Sequence, residues 1–174
     1  MEIESQNSII SIRQTSEADT PIIMDFIKGI ADFEGLSDLV TATEDELRGS
    51  LFGKRQYAEA VIAEVDAKAA GFLIFFHNFS SFRGKPGIYI EDIYVHQEFR
   101  GKGVGRALMT YCRKVAKERN CGKISWSVLD WNPARKFYEH IGGQFQDEWL
   151  AYHIDEKGIE ELANKCTSKH FTEE

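Results

Sequence analysis

Arg100-Gly101-Lys102-Gly103-Val104-Gly105-Arg106 is the stretch from which the fold is read. It follows Ile88-Tyr89-Ile90-Glu91-Asp92-Ile93-Tyr94-Val95, an apolar strand-like run, and opens a helix-like run from Val104 to about Arg119. That helix places Val104, Leu108, Tyr111, Cys112 and Val115 on one face, with Arg113, Lys114, Lys117 and Arg119 mostly opposite. A strand, a glycine turn and a helix in this order build an anion site. Glycine lets the backbone turn its N–H groups inward, and a helix N-terminus offers unpaired donors and the positive end of the macrodipole. Arg100, Lys102 and Arg106 add charge of the right sign, so the stretch is a diphosphate cradle.

Three diphosphate owners compete for it. A P-loop needs Gly-x-x-x-x-Gly-Lys-Ser/Thr, and no Lys-Ser/Thr follows these glycines. A dinucleotide fingerprint, Gly-x-Gly-x-x-Gly, counted from Gly101 ends on Arg106 and fails; it also sits after several strands rather than at the first. The pattern left is Arg-x-x-Gly-x-Gly at Arg100, Gly103 and Gly105. It resembles the acetyl-CoA pyrophosphate motif of the GNAT N-acetyltransferase superfamily. Downstream, Asn132-Pro133-Ala134-Arg135-Lys136-Phe137-Tyr138, followed by Gly142-Gly143, is similar to the second signature of that superfamily, where an Asn and a helix contact the cofactor and a Tyr lies near its sulfur.

The rest of the chain reads as follows. Ile9 to Arg13 is a strand, and Thr15 or Ser16 caps a helix to about Phe33 with Ile22, Ile23, Phe26, Ile27 and Ile30 on one stripe. Thr43-Glu44-Asp45-Glu46 is a capping box opening a helix through Leu47 and Leu51. Tyr57 to Val65 and Gly71 to Phe79 are strands joined by a tight turn near Asp66 to Ala70, and Lys123 to Leu129 is another strand. Asn132 as N-cap and Pro133 at the first helical position start a helix carrying Phe137, Tyr138 and Ile141. Phe145 and Trp149 to Ile154 predict two closing strands, and Glu156 to Lys165 a last helix. The order β-α-α-β-β-β-α-β-α-β-β is a mixed α/β domain over residues 9–165, with tails at 1–8 and 166–174. The resemblance implies the GNAT fold, a mixed, mostly antiparallel central sheet flanked by helices.

The 174 residues include 21 Lys plus Arg and 28 Asp plus Glu, a formal charge of −7. That argues against nucleic acid as partner and favours a basic substrate, though acidity also serves solubility. No run approaches the ~20 apolar residues of a membrane span, and residues 1–6 carry no targeting signal. Cys112, Cys121 and Cys166 form neither a metal spacing nor an even disulfide set, which points to free thiols in the cytoplasm. The sequon Asn78-Phe79-Ser80 is then silent, and the five histidines show no metal spacing.

Tyr89 to Val95, Phe33-Glu34-x-Leu36-Ser37-Asp38 and Val128-Leu129-Asp130-Trp131-Asn132 together resemble the diamine acetyltransferases, the spermidine/spermine N1-acetyltransferases, and within them the thialysine-acetylating branch. The resemblance implies acetyl-CoA as donor, coenzyme A as product, a small cationic amine as acceptor (a polyamine, or a lysine-like amino acid such as thialysine) and a homodimer. It also implies that the main chain of Ile93, Tyr94 and Val95 pairs with pantetheine, that Gly101 to Arg106 (Gly101, Lys102, Gly103, Val104, Gly105, Arg106) with Arg100 hold the pyrophosphate, and that Asn132, Pro133, Ala134 and Tyr138 complete the cofactor site. Phe33, Glu34, Glu91, Ser125, Trp126, Ser127 and one of Asp147 or Glu148 are implied substrate contacts.

The chemistry sets the roles. An alkyl ammonium of pKa ~10.4 is only about 0.1% free base near neutrality, a cost of ~4 kcal/mol in nucleophile. A site must attract the cation and then accept its proton. Glu91 is the expected acceptor, because a carboxylate in an apolar strand is costly without a partner or a task. Strand alternation sends Asp92 to the opposite face, so no adjacent dyad is expected. Tyr138 is the expected acid for the departing thiolate, and direct attack in a ternary complex is favoured because no nucleophile elbow exists. A peptide lysine acetyltransferase and a non-catalytic acetyl-CoA-binding module are the rival readings.

Overall fold

A computed structural model describes residues 1–5 and 8–166. The chain divides into two compact units, Met1–Asn132 and a second that begins at Pro133. The first carries β1 (Glu2–Ser5), β2 (Ser8–Gln14), α1 (Thr20–Glu34), α2 (Glu44–Phe52), β3 (Glu59–Val65), β4 (Lys68–Ser80), β5 (Lys85–Val95), α3 (Val104–Glu118) and β6 (Ile124–Trp126). These strands form one sheet in the order β1-β2-β3-β4-β5-β6, antiparallel throughout except for the parallel pair β5–β6. The second unit carries α4 (Ala134–His140) and α5 (Glu156–Cys166).

Strand alternation gives the sheet two apolar faces. Ala60, Ile62, Phe72 and Ile74 pack against Ile23 and Phe26 of α1 and Leu51 of α2. Their sequence neighbours Val61, Leu73 and Phe75 are also fully buried and lie on the other face, where α3 buries Val104, Leu108 and Cys112. The apolar stripe read for α3 is thus its packed face, apart from Tyr111, which is half-buried with its hydroxyl 2.6 Å from Gln14 Nε2.

Local chemistry fixes the helix ends. The Thr43 capping box forms as expected: the Thr43 N–H donates to the Glu46 carboxylate at 2.8 Å, and the Glu46 N–H donates to Thr43 Oγ1 at 3.3 Å. Ser16 caps a 3₁₀ turn at Glu17–Asp19 rather than α1 itself. Helix α1 ends at Gly35, whose φ of +71° suits glycine, with the Leu36 N–H reaching back to the Ala31 carbonyl at 2.8 Å. Between β3 and β4 the tight turn is two residues long, Asp66-Ala67, both at positive φ.

Several expectations are corrected. Glu2–Ser5, read as tail, pairs with β2 as an edge strand. No strand forms over residues 144–155: the pattern there is strand-like, but a strand exists only where another edge satisfies its backbone. β6 is three residues long rather than seven. Helix α4 starts one residue late, with Pro133 at the N-cap. Cys166 closes α5, and the remainder of the expected C-terminal tail lies outside the described residues.

Candidate active site

The acids come first, because here the backbone departs from simple alternation. Across β4 and β5, Phe75 pairs with Ile90 and Ile74 with Asp92, leaving Glu91 as an extra residue on β5, a β-bulge. Paired residues share a face, so Asp92 joins Ile74 on the α1 side while Ile90 stays on the α3 side with Phe75. The bulge therefore breaks the simple alternation along β5 from which Asp92 was expected to face opposite to Glu91. Glu91 itself is exposed rather than buried in the strand; Asp92 is the half-buried carboxylate. Burial pushes the Asp92 carboxyl up to about 6, with the negative charges of Glu91 and Glu34 adding to the push. Glu34, at the end of α1, is also raised by burial, against a hydrogen bond from the Asn132 side chain. Three acids thus share one neighbourhood, and among the described residues no group of acids, His or Cys is arranged to hold a metal.

Beside them β5 has an open edge. β6 pairs with β5 only over Ile88 to Ile90, so Ile93, Tyr94 and Val95 are paired with β4 alone. The chain then passes through a 3₁₀ turn at Gln97–Phe99 into the glycine turn. Gly101 has φ +76° and Gly103 φ +90°, both in the region that costs any side chain dearly. Gly103 caps α3 without a side-chain cap, and no acid occupies the first turn. The first N–H groups of a 15-residue helix are left for an anion.

The third part is aromatic. Phe33 lies 6.0 Å from Trp131, ring centre to ring centre, and both are partly exposed. The Arg100 guanidinium sits 4.6 Å over Phe33 and 5.8 Å from the Tyr94 ring, and its Nε–H donates to the Val95 carbonyl at 3.1 Å. Gly29 lets α1 come this close: a Cβ there would stand 2.9 Å from the Tyr94 hydroxyl. In β6, Ser125 pairs with Tyr89 and Trp126 with Ile90, so the two serines flanking Trp126 take the acid face and Trp126 the other. Ser127 Oγ is 2.8 Å from Tyr89 Oη, and Asn78 Nδ2 donates to Ser125 Oγ at 3.4 Å.

The chain is similar to known proteins in sequence and in fold. The acetyltransferase (GNAT) family model matches residues 30–143. The chain belongs to the GNAT family. A bovine (Bos taurus) thialysine N-epsilon-acetyltransferase is 31% identical over 170 residues, covering 91% of this chain and 99% of that protein. The L-ornithine N5-acetyltransferase of Arabidopsis thaliana is 31% identical over 184 residues, covering 79% and 81%. Among solved structures, an integron cassette protein from the mobile metagenome of V. cholerae superposes with a TM-score of 0.74 at 25% identity, covering 88% of this chain and 97% of that one.

GNAT enzymes typically draw their acyl group from acetyl-CoA. The open β5 edge, the left-handed glycines and the uncapped α3 start fit such a donor. Two sequence-expected donor contacts are engaged elsewhere: Arg100 lies over Phe33, and the buried Asn132 side chain serves Glu34. In the second unit Tyr138 is half-buried beside Phe137 at 5.5 Å, and its carbonyl accepts from the Gly143 N–H at 2.8 Å in the cap that ends α4. Asp147 and Glu148 form an exposed turn. Asp92 and Trp131 are the residues that sequence reasoning missed. Asp92 was legible as a second acid but not as a half-buried one on the α1 side, since the bulge has no glycine to announce it.

Proposed function

We propose that the chain transfers acetyl from acetyl-CoA to a primary amine of a small cationic substrate, a polyamine or diamine or a lysine-like amino acid such as thialysine or ornithine, by direct attack in a ternary complex. One observation carries the choice of acceptor: Glu34, Glu91 and Asp92 gather beside the open edge of β5. The names of the relatives, thialysine and L-ornithine acetyltransferases, support the same class. The family match across residues 30–143 supports one N-acetyltransferase domain over residues 9–165. A cytoplasmic homodimer completes the reading, in keeping with the free thiols of Cys112 and Cys121.

When bound, acetyl-CoA supplies an acetyl group activated as a thioester. The protein's own groups do the rest. Glu34 and Glu91 draw the ammonium in, and the aromatic pair Phe33–Trp131 offers π-faces to its cationic chain. The Glu91–Asp92 pair takes the proton. An ordinary aspartate lies more than ~6 pKa units below an alkyl amine; with Asp92 at about 6 the gap narrows to ~4, which makes transfer less uphill. Asp92 is still ionised at neutral pH and so able to accept. Backbone N–H groups at Gly101 to Arg106 hold the diphosphate, and the Tyr138 phenol gives its proton to the departing thiolate.

The test is release of free coenzyme A by purified protein across spermidine, spermine, short diamines, lysine, ornithine, thialysine and lysine-bearing peptides. Turnover is expected on one or more of the small amines and slow on peptides. Faster turnover on peptides than on any small amine would overturn the reading.

A further inference from the structure

The position of Arg100 is at odds with a purely donor-binding role. Its guanidinium lies 4.6 Å over Phe33 and 5.8 Å from Tyr94, and Phe33 is in turn 6.0 Å from Trp131. Glu34, next to Phe33, carries one of the negative charges of the acid group. A planar cation on an aromatic face is what a cationic acceptor would itself offer. The same side chain donates from Nε to the Val95 carbonyl, on the edge of β5 that no other strand covers. Arg100 therefore touches the acceptor side and the donor side at once, and it begins the turn whose next residues are Gly101 and Gly103.

We propose that Arg100 is an internal occupant of the acceptor's cation subsite, withdrawn from Phe33 when the donor binds. The inference rests on the amine reading for the identity of the acceptor, and on the geometry alone for the movement of Arg100. Two physical reasons drive the movement. A donor laid along Ile93 to Val95 competes for the Val95 carbonyl, and a diphosphate at the adjacent turn offers charge-assisted, bidentate contacts that outweigh an exposed cation–π contact. The Arg100 side chain is exposed, so it can swing without disturbing the core. The consequence is coupling: donor binding opens the Phe33–Trp131 shelf, and by reciprocity a bound amine favours the donor. Arg100 is then a positioning residue for the acceptor as well as a donor contact.

Two measurements decide it. In the first, the Arg100 Nε–H resonance, assigned by its loss in Arg100→Gln, is followed by NMR as coenzyme A alone is added. The stacked state should give a ring-shifted signal that moves away from that shift at saturation; a signal unmoved by coenzyme A overturns the proposal. In the second, calorimetry gives the affinities for spermidine and thialysine with and without saturating coenzyme A. Coenzyme A should tighten the amine that binds by about tenfold in the natural protein. In Arg100→Gln the amine should bind without coenzyme A nearly as tightly as with it. Retention of the full tenfold dependence in Arg100→Gln overturns the proposal. Should neither amine bind or be acetylated, the amine reading fails, while the NMR arm still decides whether Arg100 moves.

Discussion

At the scale of single residues, Asp92 carries the sharpest consequence. Its folded pKa of about 6 lies above that of an unfolded aspartate, so the fold favours the neutral carboxyl. The sign follows: nothing is lost below pH ~4, the cost grows between pH ~4 and ~6 as the unfolded chain ionises while the folded carboxyl stays neutral, and the full cost of order 3 kcal/mol is present above the folded pKa. Asp92→Asn should therefore raise the melting temperature at pH 7.5 by about 6–12 °C and leave it nearly unchanged at pH 4. The same variant should lower kcat/KM by at least tenfold, because it removes the tuned proton acceptor. A stabilised variant with full activity would strip Asp92 of its role. Tyr138→Phe should cut kcat by about 10²-fold while sparing coenzyme A affinity in a binding assay, since a phenol that protonates the leaving group acts only in the transition state.

At the scale of elements, a glycine-poor turn is the weak joint. Asp66 at φ +49° and Ala67 at +63° form the two-residue connection between β3 and β4, a type I′ geometry in which the second position favours glycine. Ala67→Gly should stabilise the protein by about 1 kcal/mol, read as a rise in urea midpoint at unchanged slope; a fall would show that Ala67 is held by something other than its backbone. The same hairpin shows what was legible in the sequence. The capping box at Thr43, the stripe of α3, the glycine turn and the hairpin could all be read because each rests on neighbours within one or two turns of chain. Residues 144–155 read as strands on the same local signals and are not, since the deciding factor is a partner edge far away in sequence. The bulge at Glu91 was hidden for a related reason: register is a property of two strands, and neither β4 nor β5 spells it alone. Arg100 was legible as a cation in a phosphate motif, but its seat over Phe33 depends on where α1 ends, sixty-odd residues earlier.

At the scale of the whole molecule, the large apolar side chains left in solvent bear on assembly. Phe145, Trp149, Leu150, Tyr152 and Ile154 fall within ten residues of chain and are all exposed, Tyr152 at 89%. Scattered apolar residues are ordinary on a surface, but a run of this density is what an interface leaves behind when its partner is removed. Each such side chain gains ~1.5–3 kcal/mol on full burial, so a few of them outweigh the ordering of the segment that carries them. A second copy is the partner that fits the homodimer reading, and a chain of formal charge −7 needs such apolar contact to overcome its own repulsion. The purified protein should therefore sediment at twice its 19.9 kDa protomer mass at micromolar concentration. Trp149→Asp together with Leu150→Asp should halve that mass while leaving far-ultraviolet circular dichroism unchanged, because neither side chain is buried in the protomer. A monomeric natural protein, or a dimer indifferent to both substitutions, would show that this segment faces solvent for another reason and would withdraw it from the interface.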